Sequence, residues 1–171
     1  LRRACEITEE VLGEVFPAAE PGMSERGIVR DLQLGFLQRG ADTPLNCNNG
    51  GYMGINGGRV LQANPTAVDR PMERGDLLRI DGGCLYRGYG ADISRLTVVG
   101  AEPSADYRLH VNACNFVMDR TIAALAPGVT SARICEAAHA AISEIGYGDK
   151  RRFTMDRISA TSGSMIGHST G

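Results

Sequence analysis

The first forty residues alternate apolar and polar positions with the period of an α-helix. The apolar positions of the first segment recur at helical spacing: Ile7, Val11, Leu12 and Val15. This pattern predicts an amphipathic helix that ends before Pro17. Ser24 is a suitable N-cap for a second helix, and Gly40 a suitable C-terminal stop. The segment therefore predicts a helix–turn–helix pair.

Farther along, the pattern changes to that of β-structure. Residues 77–99 are rich in β-branched and aliphatic side chains, and two glycine clusters interrupt them, which predicts a β-hairpin. Residues 46–58 are rich in Asn and Gly and predict turns between short strands. Those turns can be interpreted equally as a connector without function or as a substrate loop.

The helical pattern then returns, and it repeats the first pair at a constant offset. One set of turn and cap residues comprises Pro21, Gly22, Ser24, Ile28 and Gly40, and the matching set comprises Pro127, Gly128, Thr130, Ile134 and Gly146. Convergent capping chemistry could produce these matches, but the constant spacing favours an internal duplication. We therefore predict an α+β fold whose first half is 1–100 and whose truncated second half is 101–171. Two such halves, facing each other, would form a curved antiparallel sheet covered by helices on one side, with the concave face as a ligand cleft.

Composition narrows the functional classes. The 171 residues have a hydrophobic content of 43% and a net charge of -2, with 18 basic and 20 acidic residues well mixed, which favours neither nucleic acid nor a membrane surface as a partner. The five cysteines are widely spaced and form no C-x-x-C pair, so they predict reduced packing residues in a cytoplasmic protein. The first residue is not Met, and the chain ends just after a His-containing glycine cluster, which we interpret as a fragment.

Two carboxylates dominate the predicted hairpin. If its turn is centred on Tyr86 and Arg87, Asp81 and Asp92 lie directly opposite each other, with their Cβ atoms ~5 Å apart. Two like charges so close require neutralisation, and divalent metal is the simplest source. The alternatives are that each Asp merely caps a turn, or that the pair shares a proton as in aspartic proteases.

His168 is the predicted third ligand. Glycines flank its short segment and would let backbone approach an imidazole closely, although this context alone is weak evidence. His110 and His139 fall within helical periods, and we assign them to the surface or the core.

At these residues the sequence resembles the pita-bread metallopeptidase family, which includes methionine aminopeptidase, Xaa-Pro aminopeptidase, prolidase and creatinase. The resemblance rests on the two aspartates with ten residues between them, the Asp-Ile-Ser-Arg tail, both Pro-Gly elements and the Gly-His-Ser-Thr-Gly segment ending at Gly171. It implies that Asp81 binds one metal ion, that Asp92 bridges two, and that His168 binds the other. It also implies two further glutamate ligands downstream of Gly171, so the C-terminal part of the fold and of the site is missing.

The implied activity is hydrolysis of a C–N bond. Two divalent ions, which could be Mn²⁺, Co²⁺, Zn²⁺ or Fe²⁺, would activate a water for attack on a carbonyl. The resemblance favours an Xaa-Pro aminopeptidase or dipeptidase, and relatives on that branch commonly dimerise, which implies a homodimer.

Two departures from the family pattern keep other functions open. Many members carry a histidine where this chain has Asn64, which can donate a hydrogen bond but cannot exchange a proton near neutral pH. Asn64 is thus a candidate substrate-binding residue, or part of a turn with Pro65. The serine after His168 is closer to creatinase. The alternatives are therefore a creatinase-like hydrolase of a small amide or amidino compound, and a metal-free scaffold that binds a protein partner.

Overall fold

A computed structural model describes residues 1–45, 67 and 69–146. The chain divides into two compact units, the first ending at Pro103 and the second beginning at Ser104. The predicted turns at 46–58, Asn64 and His168 all lie outside the described residues. Among the described helices, none combines the length and apolar content that crossing a membrane requires.

The described residues of the first unit form two helices and four strands. Its elements are α1 (Arg2–Val15), α2 (Glu25–Gln38), β1 (Thr43–Leu45), β2 (Leu77–Tyr86), β3 (Tyr89–Gly90) and β4 (Ile93–Val98). β2 is the central strand of an antiparallel sheet and pairs with the other three. The predicted helix pair and hairpin are therefore confirmed.

Helix α1 packs against α2, β2 and β4, and the core lies between these elements. Large side chains that are fully buried there include Ile7, Val11, Ile28, Leu32, Phe36, Met72, Leu78 and Ile80. The two helices cross closely at Gly35, where an added β-carbon would lie 2.8 Å from Val11 Cγ1. Burial of these apolar side chains stabilises both helices and holds them against one face of the sheet.

The second unit contributes a helical hairpin, α3 (Ala105–Ala123) and α4 (Ser131–Glu144). Arg120 of α3 pairs with Glu144 of α4 at 3.2 Å. Within α3, large apolar side chains are exposed: Leu109, Met118 and Ile122.

Helices α2 and α4 match each other position by position. Each has 14 residues, and the N-caps Ser24 and Thr130 are both extended, each accepting a hydrogen bond from the backbone N–H three residues later. The glycines that follow the helices, Gly40 and Gly146, have φ values of 81° and 73°. These matched bounds are what the internal duplication predicts.

Candidate functional site

Asp81 lies on the face of β2 that points away from the helices. Along this strand buried and partly exposed residues alternate, so that Leu78 and Ile80 are fully buried while Arg79 and Asp81 are partly exposed. Alternation follows from the period of two in a β-strand. The Asp81 side chain is 29% exposed and is therefore accessible to an ion or a small ligand.

The hairpin register differs from the predicted one by two residues. Asp81 pairs with Ser94, so the prediction that Asp92 lies directly opposite Asp81 is wrong. The turn is centred on Arg87 and Gly88, because both have positive φ (51° and 79°), as a type I′ turn requires. Gly88 tolerates this conformation, whereas the predicted centre on Tyr86 and Arg87 would place two bulky residues in it.

Asp92 nevertheless remains next to Asp81 along the hairpin. It directly precedes β4 and follows Ala91, whose N–H donates to the carbonyl of Cys84 at 3.0 Å. The pairing is interrupted at Ala91 and Asp92, between the pair of Leu85 with Gly90 and the pair of Gly82 with Ile93. A β-carbon at Gly83 would lie 2.1 Å from the Ala91 carbonyl oxygen, so the hairpin brings the residue before Asp92 against the part of β2 that follows Asp81.

A cation already contacts Asp81. Nη2 of Arg79 forms an ion pair with Oδ2 of Asp81, and the two residues are neighbours on the same face of β2. Sequence reasoning missed Arg79, although its spacing of two residues from Asp81 was the available signal. The guanidinium thus supplies part of the neutralising charge that the sequence prediction assigned to metal.

The described residues do not include a complete metal cluster, since they contain no group of three potential His, Cys, Asp or Glu ligands close together. The ligand roles of Asp81, Asp92 and His168 therefore stay predictions, as does the role of Asn64. His110 and His139 lie on α3 and α4, and His110 is exposed with its ring Nδ1 3.6 Å from Asp106 Oδ1.

Cys84 lies on the buried side of β2 beneath this site. Its Sγ is 3.6 Å from both the Thr8 hydroxyl and the Ala4 carbonyl. Burial raises the pKa of the Cys84 thiol, partly opposed by the hydrogen bond with Thr8. A neutral, fully buried thiol is a packing residue and not a nucleophile.

A groove among the described residues of the first unit is unrelated to the carboxylates. It is a groove of about 310 Å³ between α1 and α2, with Val15, Leu34 and Gln38 among its walls. Neither Asp81 nor Asp92 lines it. The chemistry of the hairpin, rather than the size of this groove, identifies the candidate site.

Comparison with known proteins agrees with the hairpin chemistry. The sequence model described as metallopeptidase family M24 matches residues 1–171. The chain belongs to metallopeptidase family M24. The predicted family is thus confirmed, and so is the pita-bread fold class, in part of its length, by the solved relatives that follow.

Several M24 relatives are named for Xaa-Pro substrates. The chain is 30% identical over 149 residues to the Xaa-Pro dipeptidase of Pyrococcus furiosus, covering 87% of this chain and 41% of that protein. The solved prolidase from Pyrococcus furiosus matches with a TM-score of 0.73 and 30% identity, over 86% of this chain and 42% of that one. An X-Pro aminopeptidase from Thermotoga maritima matches with a TM-score of 0.75 and 29% identity, over 86% and 40%. The M24 chain thus spans about two fifths of the length of these relatives.

Proposed function

We propose that this M24 chain belongs to a hydrolase that uses two divalent metal ions to cleave the amino-terminal bond of Xaa-Pro peptides, as an aminopeptidase or a dipeptidase. The observation that carries the proposal is the hairpin itself, in which Asp81 is accessible on β2 and Asp92 directly precedes β4, the strand that pairs with β2. The names of the relatives from Pyrococcus furiosus and Thermotoga maritima support the Xaa-Pro specificity.

The proposed ligand roles follow the family pattern. Asp81 and Asp92 would hold the two ions together with His168, and Asp92 would be the ligand that they share. When bound, a pair of Mn²⁺, Co²⁺, Zn²⁺ or Fe²⁺ ions supplies activation of a water and polarisation of the substrate carbonyl. The contribution of this chain is to hold two carboxylates in one hairpin, Asp81 on β2 and Asp92 directly before β4.

A second candidate is a creatinase-like hydrolase that acts on a small amide or amidino compound. Two sequence features favour it: Asn64 in place of a histidine, and the serine that follows His168. An asparagine can orient a substrate through hydrogen bonds but cannot transfer a proton near neutral pH. This candidate differs from the first in its substrate.

The experiment combines bound-metal analysis with a substrate panel, using the protein as its gene encodes it. Xaa-Pro dipeptides, longer Xaa-Pro peptides and creatine-like amides are tested after loading with Mn²⁺. We expect bound metal and cleavage of the Xaa-Pro substrates. Cleavage of the small amides alone would select the second candidate, and the absence of bound metal would overturn both.

The variant Asp92→Asn tests the ligand assignment, because it keeps the shape of the side chain but removes its charge. We expect hydrolysis to fall by more than roughly 100-fold, since replacing even groups that support metal ligands costs 10- to 100-fold. Asp31→Asn, on the exposed surface of α2, is the matched control and should retain activity. Unchanged turnover in Asp92→Asn would overturn the assignment.

A further inference from the structure

Arg79 is positively charged and lies on the same face of the sheet as Asp81, a proposed metal ligand. It alternates with Asp81 on β2, both side chains point away from the buried Leu78 and Ile80, and their exposed fractions are similar at 33% and 29%. Its guanidinium contacts the carboxylate of Asp81 directly. The guanidinium of Arg79, a group that binds carboxylates, is therefore in direct contact with a proposed metal ligand.

The other arginines of the hairpin do not share this position. Arg95 pairs across the sheet with Ile80, and its guanidinium binds Glu9 of α1 at 2.8 Å on the helix side. Arg87 lies at the turn, with its guanidinium carbon 5.5 Å from the centre of the Tyr86 ring. Of the three arginines in residues 77–98, Arg79 is thus the one on the face of Asp81.

A metal ion and a guanidinium compete for the same carboxylate. Once a divalent ion holds Asp81, Arg79 and the ion repel each other, and the guanidinium is driven towards another anion. A planar guanidinium binds a carboxylate through two parallel hydrogen bonds, so a free carboxylate on the substrate is a suitable replacement. Because β2 fixes Arg79 two residues from Asp81, that carboxylate would be held close to the metal-bound end of the substrate.

We propose that Arg79 binds the free carboxylate of the substrate when metal holds Asp81, and thereby selects short substrates that end in an acid near the scissile bond. This inference rests on the proposed function and deepens it, because it favours dipeptides over longer peptides. Arg79 is a substrate-binding residue that changes partner between the metal-free and the metal-loaded protein.

The first test compares two substrates that differ in one group, an Xaa-Pro dipeptide and the same compound with a C-terminal amide. In Arg79→Gln, we expect KM for the free acid to rise roughly 10- to 100-fold, the range for loss of a charge-assisted hydrogen bond. Values of kcat/KM for the amide should stay within about twofold of wild type. Arg79→Lys keeps the positive charge but not the planar guanidinium that forms two parallel hydrogen bonds. Its KM for the free acid should therefore lie between those of wild type and Arg79→Gln. Arg95→Gln, on the opposite face, is the matched control and should behave as wild type.

The second test measures metal binding without turnover. Calorimetric titration of the metal-free protein with Mn²⁺ should give a several-fold lower Kd in Arg79→Gln than in wild type, because the competing guanidinium is gone. The difference should shrink as salt is added. An unchanged or higher Kd in Arg79→Gln would overturn the proposed exchange of partners, as would equal losses for the acid and the amide.

Failure of this inference is distinguishable from failure of the proposed function. Asp81→Asn should weaken Mn²⁺ binding strongly if Asp81 is a ligand. If Asp81→Asn binds Mn²⁺ as wild type does, the proposed function fails. If Asp81→Asn loses Mn²⁺ while the Arg79 variants match wild type in both tests, the function stands and the role of Arg79 is wrong. Circular dichroism of each variant verifies folding, and Arg79→Lys carries the test if Arg79→Gln does not fold.

Discussion

The backbone carbonyl of Ala91 lies against Gly83, so closely that a β-carbon at position 83 would be 2.1 Å from the carbonyl oxygen. The Thr8 hydroxyl would be 3.1 Å from the same β-carbon. Only glycine permits this approach of the two chain segments. Because Ala91 immediately precedes Asp92, the missing side chain at Gly83 sets how close Asp92 comes to β2.

We therefore predict that Gly83→Ala weakens metal binding. The new methyl group must push the Ala91 carbonyl away, which displaces Asp92 and costs about 1–3 kcal/mol of stability through overpacking. Calorimetric titration of the folded variant with Mn²⁺ should give an affinity at least tenfold below that of wild type. Gly13→Ala is the control, because nothing lies within 4 Å of an added β-carbon at that helical position. A folded Gly83→Ala protein with wild-type affinity would contradict this account.

The helices could be predicted from sequence because their signals are local. Ser24 and Thr130 cap their helices through their own hydroxyls, and the glycines after the helices adopt the positive φ that other residues avoid. Such chemistry depends on four or five consecutive residues. The prediction of bounds for α2 and α4 was therefore confirmed.

The hairpin register was not predicted correctly, because it depends on which residues of the turn adopt positive φ. Two glycines, Gly88 and Gly90, lie in the segment, and the non-glycine residue that joins Gly88 in the turn is Arg87. The sequence located both aspartates in one hairpin but misjudged their pairing by two residues. Arg79 and Gly83 were missed because their importance arises from contacts with other residues and not from a motif.

Because the N-caps of α2 and α4 match, removing either cap should cost a similar amount of helix stability. Ser24→Ala removes the acceptor for the Gly27 N–H, and Thr130→Ala removes the acceptor for the Arg133 N–H. Each substitution should cost about 1 kcal/mol. Hydrogen exchange should detect the loss as reduced protection of the first turn of α2 or α4, respectively. If exchange is unchanged in either helix, the hydroxyl of that helix is not a stabilising cap.

We predict that the buried Cys84 thiol makes the folded protein less stable at alkaline pH. Burial raises the thiol pKa in the folded state above that of the unfolded chain, so the neutral thiol contributes stability that is fully present below the unfolded value of about 8.5. This contribution is lost as pH rises towards the folded pKa. In Cys84→Val, the decline of the urea midpoint between about pH 8 and pH 10 should be shallower than in wild type.

The control for that experiment is Cys114→Val, which removes an exposed thiol. The urea midpoint of Cys114→Val should decline with rising pH as that of wild type does. Equal slopes for wild type and Cys84→Val would mean that Cys84 does not contribute to the pH dependence. Alkylation offers an independent check, because Cys114 should react in the folded protein while the fully buried Cys84 reacts only on unfolding.

Arg70 joins the start of α2 to the segment that leads into β2. It binds Glu25 Oε1 at 3.1 Å and Asp76 Oδ2 at 3.0 Å, and the side chains of the two acids are 6% and 13% exposed. The hydrogen bond with Asp76 makes the largest contribution to the raised pKa of Arg70. Removing the guanidinium would leave two largely buried carboxylates close together without their shared cation.

We therefore predict that Arg70→Gln lowers the free energy of unfolding by about 3 kcal/mol, at the lower end of the range for breaking a buried ion pair. In a protein of this size the thermal midpoint should fall by about 6–12 °C. Arg26→Gln is the matched control, because its pair with Asp69 is exposed on both sides and such pairs contribute little. Since Asp76 directly precedes β2, the loss should reach the site as well, and Mn²⁺ affinity should fall in Arg70→Gln but not in Arg26→Gln. Equal thermal midpoints for the two variants would mean that this buried network does not hold the hairpin strand in place.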